Sequence, residues 1–229
     1  MAKRLLIVLT SHDRLGDTGR KTGFYYEEMA VPYWIFRDAG LEVDIASIRG
    51  GHAPHDPASL EDAEEVPEAV RRFRDDEAAM RQIENTLPID SVDPLDYDAV
   101  YLPGGHGTMW DLPDCRPLRT VIETASRQGA VVAAVCHGPA GLVGATAADG
   151  RPLVAGRSIN AFTDEEEKAM ELDGVVPFLL ESRLRSLGAE FEKSGPMESH
   201  VVRDGTLITG QNPASSKAIG QAILEALRE

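Results

Sequence analysis

The chain has 229 residues, 42% of them hydrophobic and 27% charged, the balance of a folded globular protein rather than a disordered or fibrous one. Thirty-eight acidic residues against 23 basic ones give a formal net charge of −15, which argues against nucleic acid and anionic membrane as partners, since both are polyanions. Two cysteines, Cys115 and Cys136, are too few for a disulfide framework, and no apolar run approaches the roughly 20 residues of a membrane helix, so the reading is a cytoplasmic protein with a free thiol.

The first strand is predicted at 4–10. The basic start followed by Leu5-Leu-Ile-Val-Leu has the look of a signal peptide, but the apolar run stops at Thr10-Ser11-His12-Asp13 and reads better as a buried strand. A helix at 24–39 and a strand at 41–47 follow. Residues 50–96 break the alternation: a turn-rich loop, Gly50-Gly51-His52-Ala53-Pro54-His55-Asp56-Pro57, precedes a charged segment at 60–85 with helical spacings. We read this stretch as an inserted helical excursion, either a cap over the sheet, part of a subunit contact, or a solvated surface helix pair. Beyond it come a strand at 99–102, a helix at 118–128, a strand at 130–135 and helices at 139–145, 164–172 and 177–187. Strands around Phe191 and at 206–209 and a helix at 213–227 complete the pattern. Continuous apolar strands alternating with amphipathic helices predict one doubly wound α/β domain over 1–229, with a mostly parallel sheet and helices on both faces. Ligands in such sheets lie beyond the carboxyl ends of the strands.

Chemistry is concentrated at two of those ends. Ala130-Val-Val-Ala-Ala-Val runs straight into Cys136-His137-Gly138-Pro139. Strand, sharp turn and helix, with small residues two positions either side of Cys136, is the pattern of a nucleophile elbow. A helix N-terminus there would stabilise a thiolate; a buried structural cysteine needs no such corner. Cys115 has no comparable setting. Leu102-Pro103-Gly104-Gly105-His106-Gly107 likewise follows a strand, and its glycines let backbone N–H groups approach a ligand as an oxyanion hole requires. Glu27 and Glu28 lie about 100° apart on the first helix, so at most one points inward. Pro32 cannot donate to the Glu28 carbonyl, which makes the helix irregular there. Thr163 and Glu166 form a capping box, and acidic residues at 164–167 suit a first helical turn without any catalytic role. His52 and His55, followed by Asp56, could suggest a metal site, but these histidines, and separately His200, read as solvated; no spacing supports a metal site.

On Lys21-Thr22-Gly23, Leu102-Pro-Gly-Gly-His-Gly107, Ala133-Ala-Val-Cys-His-Gly-Pro139, Gly150-Arg-Pro-Leu153, Phe162-Thr-Asp164 and Thr209-Gly-Gln-Asn-Pro-Ala-Ser215, the sequence resembles the ThiJ/PfpI superfamily, in its glyoxalase III-like, heat-shock-protein-31-like branch, over nearly the whole chain. The resemblance implies a flavodoxin-like three-layer sandwich of the class I glutamine amidotransferase type, usually a cytoplasmic homodimer, with no cofactor and a part in stress response. It further implies Cys136 as nucleophile with His137 beside it, Glu28 against the thiol, and Glu167 as the acidic partner, with Asp164 and Glu166 as near neighbours. Oxyanion and substrate contacts would come from Gly104, Gly105 and His106, with the backbone N–H groups of Gly105 and His137 as donors. The activity implied is that of a glutathione-independent lyase turning methylglyoxal or related 2-oxoaldehydes into 2-hydroxy acids such as lactate.

Other readings share the elbow. A glutamine amidotransferase needs a late His-x-Glu pair, and His200 is followed by Val201-Val202. Cysteine hydrolases and hydratases of the superfamily use the same corner. A holdase chaperone, a protein deglycase acting on glycated proteins, or a cysteine-oxidation stress sensor would use the fold differently.

Overall fold

Every residue from Leu5 to Leu9 is buried, because the strand they form lies in the middle of a sheet covered on both faces. The structure, a computed structural model, describes residues 3–60 and 66–229. In chain order the elements are β1 (Arg4–Leu9), α1 (Tyr26–Asp38), β2 (Glu42–Ser47), α2 (Glu68–Asp75), α3 (Glu77–Glu84), β3 (Leu87–Pro88), β4 (Ala99–Leu102), α4 (Thr108–Asp111) and α5 (Arg116–Arg127). There follow β5 (Val131–Val135), β6 (Ser158–Ile159), α6 (Asp164–Ala169), α7 (Leu180–Ser186), β7 (Glu190–Phe191), β8 (Val201–Asp204), β9 (Leu207–Gly210) and α8 (Ser216–Ala226). The main sheet has the order β3-β2-β1-β4-β5-β9-β8, parallel throughout except for β8, which runs antiparallel to β9. β6 and β7 form a separate parallel pair.

Strand alternation splits the core in two. Leu5, Ile7 and Leu9 face one way, with Phe36 and Met29 of α1, Phe73 of α2 and Ile219 of α8. Leu6 and Val8 face the other way, with Val121 and Ile122 of α5 and Leu180 and Leu184 of α7. The result is the expected flavodoxin-like three-layer sandwich. Among the described residues no helix is long and apolar enough to cross a membrane.

Four local expectations change. The helix predicted at 139–145 is a single 3-10 turn, Gly138–Leu142, since glycines at 138, 141 and 144 disfavour a regular helix. β8 is an edge strand whose polar Arg203 and Asp204 hide its period. The last helix opens with a 3-10 turn at Pro213–Ser215. The excursion at 50–96 is not a freely solvated pair. Val70, Phe73, Ala79 and Ile83 belong to the α1-side core, and Arg72 lies 3.6 Å over the Trp34 ring while pairing with Asp38. Of the predicted helical stretch at 60–85, residues 61–65 lie outside those described.

Candidate active site

β5 ends at Val135, and the next residue, Cys136, takes a φ of +59°, a left-handed backbone that non-glycine residues seldom adopt. The turn this produces is possible only because its neighbours are small. A Cβ on Gly138 would stand 2.1 Å from the Leu102 carbonyl oxygen, and one on Gly104 would stand 2.6 Å from the His137 nitrogen. Gly138→Ala is therefore expected to cost about 3 kcal/mol through overpacking, a drop of roughly 6–12 °C in melting midpoint. Gly174→Ala, where a Cβ meets nothing within 4 Å, should change it little; thermal denaturation of both reads the difference.

Glu28 approaches from α1. Because Pro32 lacks an N–H, the Glu28 carbonyl loses its helical partner, and the Tyr101 hydroxyl donates to it instead at 2.7 Å. The side chain is fully buried: the Gly104 N–H donates to Oε2 at 2.7 Å, while no hydrogen bond of ordinary geometry reaches Oε1. Burial pushes the carboxyl up to about 8, against a smaller lowering by hydrogen bonding to Cys136 and to the Gly104 N–H. Glu27, its neighbour, is only half-buried. Burial and the nearby Glu28 also push the Cys136 thiol up, so the resting group is a thiol. The thiolate expected from a helix N-terminus is not supported, since the short 3-10 turn brings too little dipole to offset desolvation.

Cys136 Sγ lies 3.3 Å from His137 Nδ1, and His137 Nε2 lies 2.7 Å from Glu167 Oε2. Glu167 Oε1 is in turn 2.8 Å from His106 Nε2. The two imidazoles hold Glu167 well below the usual carboxylate range despite its burial, so it is an ionised acceptor. Both Nε2 atoms must then carry hydrogens, which leaves His137 Nδ1 as a lone pair facing the thiol. Burial and the adjacent His106 push His137 down, keeping it neutral at rest. Phe162 lies against the His137 ring, with centroids 4.5 Å apart. Among the three acids considered for this position, only Glu167 reaches the imidazoles. Asp164 accepts from Ser182. Glu166 accepts from Thr163, the Met197 N–H, Gln211 and Asn212.

Cys136, His137 and His106 open into a cavity of about 90 Å³, whose wall also includes Leu15, Tyr25, Asp56, Gly105, Phe162 and Leu172, while Glu28 and Glu167 stand behind that wall. Neither the Gly105 nor the His137 N–H is committed to a backbone acceptor among the described residues, and the Gly105 N–H points to the Cys136 sulfur. Asp56 is buried, accepts from the Thr22 hydroxyl at 2.7 Å, and helps line the cavity. His55 is half-buried against Phe24 and Tyr26; His52 is exposed, and Cys115 is remote from the cavity. His106, His137 and Glu167 also form a grouping able to hold a metal ion, each offering an atom within 4.8 Å of the others. No sequence spacing revealed it, because two of the three follow different strand ends and the third, Glu167, lies in α6. Their mutual hydrogen bonds account for the arrangement as it stands.

A flavodoxin-like sandwich with a cysteine on a strand-end elbow, a histidine next in sequence and a buried carboxylate from the first helix defines a cysteine-centred α/β class rather than a nucleotide-binding one. Within it, residues 21–226 match the DJ-1/PfpI family, and the chain belongs to that family. It is 31% identical over 233 residues to the glutathione-independent glyoxalase HSP31 of Saccharomyces cerevisiae, covering 99% of this chain and 98% of that one. Among solved structures it resembles the 24 kDa Rapid Encystment Protein of Francisella tularensis, with a TM-score of 0.94 and 33% identity over 98% of this chain and 99% of that one. It also resembles glyoxalase III of Candida albicans, with a TM-score of 0.87 and 29% identity over 98% and 97%.

Proposed function

We propose that the protein is a glutathione-independent glyoxalase that converts methylglyoxal and related 2-oxoaldehydes to 2-hydroxy acids, using Cys136 as nucleophile. The observation that carries this reading is the pairing of a thiol facing the free Nδ1 of His137 with a carboxyl group whose pKa lies near 8. Such a carboxyl can act as acid and then as base within one turnover. The chain's own thiol stands where glutathione would otherwise serve.

The steps follow from these positions. Cys136 Sγ adds to the aldehyde carbon as His137 Nδ1 takes the thiol proton, and the Gly105 and His137 N–H groups receive the developing oxyanion. Protonated Glu28 gives its proton to that oxygen, completing the hemithioacetal. The resulting carboxylate removes the proton on the same carbon while His137 protonates the neighbouring ketone oxygen, giving an enediol. Glu28 returns its proton to the second carbon, and loss of the remaining hydroxyl proton to His137 leaves a thioester. Water, deprotonated by the Glu28 carboxylate, adds to the thioester carbon, and His137 gives its proton to the departing Cys136 sulfur, which releases the 2-hydroxy acid and restores the thiol and the protonated Glu28. Phe162 and Leu172 give the small cavity an apolar wall suited to a methyl substituent.

The test is lactate formation from methylglyoxal without added glutathione. Turnover by the wild type and none by Cys136→Ala is expected; no turnover by the wild type overturns the reading. The oxidation-sensor alternative draws less support, because peroxides attack thiolates and this thiol is pushed up. The homodimer, the stress-response role and any traffic with unfolded or glycated proteins rest on the family resemblance, and the cytoplasmic compartment on the resemblance and the cysteine count.

A further inference from the structure

Of the five tyrosines in the chain, four have their hydroxyl engaged with the protein: Tyr26 donates to Met80, Tyr33 accepts from Gln82, Tyr97 donates to Asp44, and Tyr101 donates to the Glu28 carbonyl. Tyr25 is the fifth. It is half-buried, lines the same cavity as Cys136, and its hydroxyl has no partner among the described residues. Several of the other polar side chains on that wall are spent. Asp56 already accepts from Thr22 and from the Ala58 N–H, and as a carboxylate it has nothing to donate. The Nε2 hydrogens of His106 and His137 go to Glu167, which leaves the exposed Arg20 as a further side-chain donor on that wall beside Tyr25.

We propose that the Tyr25 hydroxyl donates a hydrogen bond to the ketone oxygen of a bound 2-oxoaldehyde, which makes Tyr25 the residue that tells a dicarbonyl from a simple aldehyde. The proposal rests on the glyoxalase reading of the site. Once sulfur bonds to the aldehyde carbon, that carbon's oxygen turns toward the Gly105 and His137 N–H groups. The ketone carbon lies one bond further from the sulfur, out along the cavity wall. Tyr25 lines that wall, and its backbone is fixed beside the glycine turn: its N–H donates to the Gly104 carbonyl at 3.1 Å, and its nitrogen lies 2.6 Å from where a Cβ on Gly105 would sit. Burial, then Glu28 and Cys136, push the phenol up to about 12, so it remains a donor wherever the enzyme works. The ketone oxygen gains negative charge as the aldehyde carbon loses its proton, so a donor at that place acts on the transition state.

Tyr25→Phe keeps the ring and removes the donor. The first measurement is protection of Cys136 from iodoacetamide, followed on the Cys136 peptide, by methylglyoxal and by propanal, which has the same carbon chain without the ketone oxygen. In the wild type methylglyoxal is expected to protect at lower concentration than propanal. Tyr25→Phe should raise the methylglyoxal concentration needed by about 10-fold and leave that of propanal within about twofold. The second measurement is turnover, expected to fall about 10²-fold with an unchanged melting midpoint. Equal shifts for both aldehydes, no shift for either, or no protection of the wild type by methylglyoxal overturns the proposal. A wild type that makes no lactate overturns the glyoxalase reading instead, and the protection ratio still decides the role of Tyr25.

Discussion

Glu28→Gln is expected to cut methylglyoxal turnover by about 10³-fold while removing a pH-dependent cost from the fold. The two effects share one origin. Glu28 is wholly buried, and its carboxyl sits near pKa 8 rather than the ordinary 4.5 because desolvation penalises the carboxylate. The folded state therefore holds a proton that the unfolded chain releases above pH 4.5. Stability from this group is complete below pH 4.5 and declines as pH rises, levelling above pH 8, a change on the order of 5 kcal/mol across the window. Glutamine does not titrate, so the variant lacks that decline. Melting midpoints measured from pH 4.5 to 8.5 should show the variant gaining steadily on the wild type up to pH 8 and no further. A constant difference across the range would mean that Glu28 is ionised in the fold. That outcome would also remove it as the proton donor in the first step, since it would hold no proton to give.

The strands, the elbow and the glycine turn were legible in the sequence for a simple reason. A strand buried on both faces must be apolar at every position, and a corner with φ near +59° needs small neighbours, so Val131–Val135 and Ala134-x-Cys136-x-Gly138 carry their structure openly. Glu28 was half legible. Pro32 marked an irregular helix at that carboxylate, but only the resemblance to a family chose it over Glu27. Glu166 and Glu167 look alike in sequence, as acids in a helix's first turn, and the capping box predicted for Glu166 is present. What separates them is tertiary. The segment carrying Met197, together with Gln211 and Asn212, closes over Glu166 and leaves Glu167 facing two imidazoles. Tyr25 gave no signal, because a free hydroxyl is defined by the partners that other tyrosines have and it lacks. β8 was missed for the opposite reason: an edge strand buries one side of few residues, and Val202 alone does not make a period.

Glu167→Gln should lower turnover by about 10³-fold or more, although it changes neither the size of the side chain nor any group that touches the thiol. The carboxylate accepts from two imidazoles at once, through Oε1 from His106 and Oε2 from His137. An amide has one acceptor oxygen and one NH2 donor, so one of the two histidines must face a donor and present a lone pair from Nε2. If that histidine is His137, its hydrogen moves to Nδ1 and the site loses the acceptor for the Cys136 proton. If it is His106, His137 keeps its tautomer but loses the negative charge that stabilises it when protonated during the reaction. Either route slows the chemical step, and the loss should fall on kcat rather than KM. Cys136 alkylation should slow in parallel if His137 has changed tautomer, and stay near the wild-type rate if it has not. The wild type carries a matching acid limit. Glu167 is held below its ordinary pKa, so the stability it supplies is present above pH 4.5 and lost as pH falls through its lowered value in the fold. The neutral, buried His137 adds a loss that begins below about pH 6.5, where the unfolded imidazole charges first. Acid titration of the wild type followed by circular dichroism should show both losses, and Glu167→Gln should retain only the histidine part.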